Sequence, residues 1–251
     1  MPFLLDSPEA VAAARLSASH NPEAFWADIA GHYDWMKPWN NVCSAEFETP
    51  SVRWFEGAEL NITANCLDRH LAVHGDQTAI LWEPNDPADS TVAITYADLH
   101  DRVCRFANVL KSRGVGKGDR VALYLPMVPE LAVAVLACAR IGAVHSVVFG
   151  GFSPEALKDR INDAACRLVI TADEGVRGGK AIPLKSNVDA AIKEADCVDS
   201  VLVVRRTGDA IEWDAARDVW YHEAVGAVSD DCEPEWMRGD GTPYTGQVGV
   251  E

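Results

Sequence analysis

The chain has 251 residues, 48% hydrophobic and 24% charged, the balance of an ordinary globular protein long enough for one large domain or two small ones. Its formal net charge of −16 argues against nucleic acid or an anionic membrane as a partner, because their phosphates would be repelled, although it leaves room for a local basic pocket. The seven cysteines show no CxxC spacing, so a zinc ribbon or redox pair is not expected; reduced thiols and a cytoplasmic setting are. The N-terminus has Asp6 and Glu9 and no long apolar run, unlike a signal peptide, and the apolar stretch 131–139 is too short to span a bilayer.

Residues 1–20 are rich in Ala and Ser and read as either loosely ordered or a short helix. Asn21-Pro22-Glu23 predicts a helix start, with a capping Asn, Pro in the first turn and then an acid. An aromatic segment follows over 25–39, with a second aromatic pair at Trp54 and Phe55. A further helix is predicted from Asn61 as cap to Gly75 as stop, with Ile62, Cys66, Leu67 and Leu71 near one face. Residues 78–82 and 91–94 predict strands flanking a Pro/Asp-rich loop. Thr95-Tyr96-Ala97-Asp98 resembles a capping box with Asp in place of Glu, and opens a helix that Gly114 stops. Then come strand 120–125, helix 129–141, strand 143–149, helix 154–164, strand 167–172, helix 187–195 and strand 200–205. The strands are continuously apolar rather than alternating. This predicts an α/β fold with a mostly parallel sheet buried on both faces and flanked by helices, behind an N-terminal helical, aromatic-rich cap.

In such a sheet ligands bind at the carboxyl ends of the strands. One candidate loop there is Phe149-Gly150-Gly151-Phe152-Ser153-Pro154-Glu155, where glycines admit close approach and a helix N-terminus offers free amides. The simpler reading of its spacing is a plain turn with Ser153 as helix cap. A second is Asp173-Glu174-Gly175-Val176-Arg177-Gly178-Gly179-Lys180, either a phosphate clamp or a solvated loop whose cations pair with Asp173 and Glu174. Arg113-Gly114-Val115-Gly116-Lys117-Gly118-Asp119 imitates a phosphate loop but runs from helix into strand, the wrong direction for one. The histidines show no ligand spacing, so no metal residue is assigned; His145 reads as a hydrogen-bonded core histidine. The tryptophans at 26, 35, 39 and 54 read as packing rather than ligand stacking.

Several stretches together carry a resemblance. They are Tyr33-Asp34-Trp35 with Lys37-Pro38-Trp39-Asn40-Asn41-Val42, the run 60–71 beginning Leu60-Asn61-Ile62-Thr63, Tyr124-Leu125-Pro126-Met127-Val128-Pro129-Glu130, the run 137–153, and 168–180. They resemble the front part of AMP-forming acetyl-CoA synthetases (acetate–CoA ligases), in the adenylate-forming superfamily. The resemblance implies a division into an extension over 1–20, the synthetase N-terminal cap over 21–77, a first α/β subdomain of the AMP-binding domain over 78–237, and a divergent tail over 238–251. It implies ATP and magnesium as requirements of the full-length family, and CoA as the substrate whose site is partly present here. Phe149, Gly150 and Gly151 are expected along the CoA nucleotide. Arg177 is expected on its 3′-phosphate, helped by Gly178, Gly179 and Lys180, where the family often has Arg in place of Lys180. After Met237 the family continues into a Ser/Thr/Gly-rich loop ending in Lys that holds the ATP phosphates. Here only Tyr244-Thr245-Gly246 echoes it and no lysine follows. No catalytic residue is assigned, and ligase activity is not expected from this chain alone. The expected partner is a second chain carrying the rest of the synthetase. The alternatives are a non-enzymatic CoA-binding or synthetase-interacting module, or a degraded gene product.

Overall fold

The computed structural model describes residues 5–239 apart from 47, 87 and 89, so Tyr244-Thr245-Gly246 and nearly all of the tail lie outside the described residues. The chain divides into two units, one of residues up to Asn65 together with those from Trp236, the other Cys66–Glu235.

In the first unit, α1 (Pro8–His20) starts at Ser7, whose hydroxyl accepts from the Ala10 amide at 3.1 Å; none of its residues is buried, so local capping is its visible support. Asn21 caps α2 (Pro22–Ala30) as its sequence signals require, accepting from the Ala24 amide at 3.1 Å. The strands β1 (Asn41–Glu46) and β2 (Ser51–Glu56) form an antiparallel hairpin that the sequence did not predict. None of their described residues is buried, β1 has no steady alternation of apolar with polar, and the alternation of β2 breaks after Trp54. The tryptophans pack on one another as expected. Trp35 and Trp39 meet at 5.1 Å, and both lie 5.3 Å from Phe55, which has a positive φ of 50°. After β3 (Glu59–Leu60), the helix predicted over 61–75 comes in pieces: α3 (Ile62–Cys66), a 3₁₀ turn over Asp68–His70, and α4 (Leu71–His74). Asn61 does cap, its carbonyl oxygen taking the Thr63 amide at 2.8 Å. The break is at Leu67, whose φ of −122° is not helical and whose side chain is buried while Ile62 and Cys66 remain exposed.

The second unit contains the hairpin β4 (Thr78–Trp82) and β5 (Val92–Thr95), then α5 (Tyr96–Ser112) with its capping box. Next come β6 (Arg120–Tyr124), α6 (Pro129–Arg140), β7 (Val144–Val147), α7 (Pro154–Ala164) and β8 (Leu168–Ala172). The chain continues through β9 (Gly175–Arg177), β10 (Lys180–Ile182), α8 (Leu184–Ile192), β11 (Ser200–Val204), β12 (Asp218–Trp220) and α9 (Tyr221–Gly226). The chain then returns to the first unit, where β13 (Met237–Arg238) pairs antiparallel with β3. The main sheet has the order β12-β11-β8-β6-β7, and all its pairings are parallel. Leu123, Ile170 and Leu202 on its inner strands are fully buried, each such side chain contributing about 1.5–3 kcal/mol.

The expectation of burial on both faces fails at β7. This strand pairs only with β6 among the described residues, and Val144 and Val147 are each 54% exposed. His145 on β7 is half-buried, and its Nδ1 has no hydrogen-bond partner among the described residues, contrary to the hydrogen-bonded core position expected of it. Burial pushes its pKa down, so the neutral ring is favoured there.

Candidate binding groove

A groove of about 410 Å³ opens at the carboxyl end of the sheet. Its apolar floor includes Leu125, Val128, Leu131, Val148 and Leu184, and both candidate loops reach its wall. Phe149, Gly150, Gly151, Arg177 and Gly178 line it, while Gly179 and Lys180 complete the adjoining hairpin beyond the lining.

The first loop is held from beneath. The Tyr124 hydroxyl lies 2.7 Å from the Phe152 carbonyl and 3.2 Å from that of Gly150, and Asn187 donates to the same hydroxyl at 3.1 Å. Burial raises the Tyr124 pKa, with the Asn187 bond opposing, so the hydroxyl remains a neutral donor. Ser153 does cap α7, taking the Ala156 amide at 3.4 Å, so the loop is both a capped turn and a groove wall. Gly151 is needed for a close approach: a Cβ there would stand 2.6 Å from Cε1 of Phe149.

The second loop is a β-hairpin, β9–β10, where the sequence predicts a loop. Gly178 and Gly179 have φ of +55° and +74°, which only glycine adopts without strain, and they turn the chain in two residues. Arg177 and Lys180 thereby become direct cross-strand partners. Like charges so paired repel, and a bound anion would relieve the repulsion. The reading in which these cations pair with Asp173 and Glu174 does not hold. The fully buried Asp173 carboxylate instead accepts amides from Glu174, Arg206, Thr207 and Gly208 at 2.7–3.3 Å. Glu174 accepts the Thr207 hydroxyl at 2.9 Å. The Arg177 guanidinium lies 5.1 Å above the Phe149 ring, a cation–π contact that ties the two loops together.

One residue of the groove, and the ring that supports it, went unnoticed in the sequence. Arg206 also lines the groove, and its guanidinium lies 5.3 Å above the ring of Trp82, whose indole N–H donates to the Met127 carbonyl at 2.9 Å. The available signal was positional: Arg205-Arg206-Thr207-Gly208 leaves β11 at the same sheet edge as the other two loops. Among the described residues no cluster of three His, Cys, Asp or Glu is placed to hold a metal ion, and no helix is long and apolar enough to cross a membrane.

Residues 67–242 match the AMP-binding enzyme family, and residues 12–66 match the acetyl-coenzyme A synthetase N-terminus. Acetyl-coenzyme A synthetase 2 of Pseudomonas putida is 61% identical over 220 residues, which are 88% of this chain and 34% of that protein. The acetyl-coenzyme A synthetase of Saccharophagus degradans is 53% identical, over 94% of this chain and 38% of its own length. The chain therefore spans about a third of the length of these relatives. Among solved structures, acetoacetyl-CoA synthetase from Streptomyces lividans superposes with a TM-score of 0.80 at 25% identity, covering 90% of this chain and 34% of that one.

Proposed function

The chain belongs to the AMP-binding enzyme family, and on that premise we propose that it is the N-terminal part of an acetate–CoA ligase carrying the nucleotide end of the CoA site. The observation that carries this reading is the Arg177 guanidinium over the Phe149 ring, with Lys180 across the hairpin and glycines on both loops. Arg177 meets the 3′-phosphate as a directional fork, while Lys180 adds a point charge. Phe149, Gly150 and Gly151 border the nucleotide. The apolar floor suits the uncharged remainder of the molecule.

The whole reaction joins acetate to AMP with release of pyrophosphate, then passes the acetyl group to the CoA thiol. Phosphoryl-group chemistry of this kind relies on metal and cationic stabilisation. We assign that role, with ATP and magnesium, to the remainder of the synthetase. The side of β7 without a strand partner among the described residues, with Val144 and Val147 exposed, supports packing of that remainder at this edge.

Titrating CoA into the 251-residue chain tests the reading. Saturating CoA should raise the melting temperature, and Arg177→Ala should weaken binding about tenfold or more. No shift at millimolar CoA overturns it. Acetate-dependent AMP formation is expected only on co-expression with the C-terminal two-thirds of a close synthetase; turnover by the chain alone would refute the division of labour.

A further inference from the structure

Resting on the CoA reading above, we propose that Arg206 is a second phosphate-binding residue of the groove, contacting the ligand's diphosphate while Arg177 contacts its 3′-phosphate. Arg177 and Arg206 are mounted alike. Each lines the groove, each guanidinium lies over the face of an aromatic ring, and neither forms an ion pair with a described residue. An arginine stacked on a ring keeps its N–H edge available, which is the geometry that suits phosphate oxygens.

The two mounts hang from different strands. Arg177 follows β8, Arg206 follows β11, and these strands are parallel neighbours. Their loops therefore leave the same sheet edge side by side, offering cations at two points along one groove. The Arg206 loop is also held firmly. Its backbone amides at 206, 207 and 208 all donate to the buried Asp173 carboxylate, and Trp82 beneath the guanidinium is fixed through the Met127 carbonyl. A fixed backbone and a fixed ring reduce the freedom Arg206 would lose on binding. In a chain of net charge −16, where carboxylates are plentiful, two cations without an ion pair among the described residues point to a ligand. A ligand with phosphates at two separated points matches the arrangement; CoA has its 3′-phosphate and its diphosphate.

Calorimetric titrations of wild type, Arg206→Ala, Arg206→Lys and Arg177→Ala with CoA and with dephospho-CoA separate the two contacts. Arg206→Ala should weaken both ligands about tenfold or more, because both contain the diphosphate. Arg177→Ala should weaken CoA by a similar factor and dephospho-CoA little. Arg206→Lys should recover part of the loss, since it keeps the charge and not the fork. If wild type binds CoA and Arg206→Ala binds it equally tightly, the inference fails while the CoA reading stands. If Arg206→Ala weakens only CoA, the diphosphate assignment is wrong. If wild type binds neither ligand, both the inference and the reading beneath it fall.

Discussion

Two glycine turns flanked by cations lie at opposite ends of this sheet. One joins α5 to β6 over 114–118 at the amino end; the other is the Gly178-Gly179 hairpin at the carboxyl end. They look alike in sequence and differ in what their surroundings consume. At the amino end Asp119 accepts the Gly116 amide at 2.8 Å, and the Gly118 amide donates to the Gly142 carbonyl at 2.9 Å. The nearby arginines are engaged too: Arg120 donates to the Ala164 carbonyl at 2.7 Å, and Arg167 pairs with Asp199 at 2.8 Å. At the carboxyl end the buried acid binds backbone amides, and Arg177 and Arg206 rest on aromatic rings. Helix N-termini and strand carboxyl ends converge there, so the same residue types remain available to a ligand.

The largest stability effect should come where a cation is fully committed to the fold. Arg140 is 3% exposed and holds both oxygens of Asp68 at 2.9 Å. Asp68→Ala should cost about 3–5 kcal/mol in a denaturant titration, because it strands a buried charge. A loss well under this would show that the charge finds another partner.

His100 extends the same cluster, with Nε2 at 3.5 Å from Asp68 and Nδ1 at 3.6 Å from Asp101. Its bond to Asp68, followed by that to Cys104, pushes its pKa up to about 10. For Asp68, burial opposes ionisation, yet the bonds from His100 and Arg140 hold it below the usual carboxylate range. The raised His100 value means that its contribution is complete below the unfolded value of about 6.5 and is lost as pH rises through about 10. Stability should therefore fall on the alkaline side. His100→Gln should remove about 1–3 kcal/mol at pH 7 and flatten that slope, read as melting temperature against pH. Identical slopes in the two proteins would remove His100 from the account.

Gly118 and Gly178 offer the most direct comparison of the two turns. Both have positive φ, +86° and +55°, and neither has an atom within 4 Å of an added Cβ. Alanine at either should cost about 1–2 kcal/mol from backbone strain. Only Gly178→Ala should also weaken CoA binding. Equal effects on binding would erase the distinction between the ends. Gly151→Ala should act the other way round, with a small change in stability but several-fold weaker CoA binding as the Phe149 ring beneath Arg177 is displaced. The smallest effect is expected at Arg167→Ala, where loss of an exposed ion pair should cost about 0–1 kcal/mol and leave CoA binding unchanged.

The caps and the alternation of helix with strand were legible in the sequence. Asn21, Thr95 and Ser153 each bond an amide three residues on, a relation local enough to read directly. The apolar runs of β6, β8 and β11 likewise announced a buried parallel sheet. Less could be read where structure depends on distant partners. The β1–β2 hairpin has no buried residues to reveal it, the helix over 61–75 breaks at Leu67, and β7 lies at an edge despite its apolar sequence.

The same division runs through the groove. Sequence alone singled out Phe149-Gly150-Gly151 and Arg177 through Lys180, because glycines and cations after a strand are a local pattern. Only the tertiary structure put Arg177 on the Phe149 ring, bound Asp173 to the 206–208 amides, and brought Arg206, resting on the Trp82 ring, to the groove wall. Those contacts follow from the order β12-β11-β8-β6-β7, in which neighbours in space are far apart along the chain. Strand order is settled by how whole faces pack together, and no short stretch of residues encodes it.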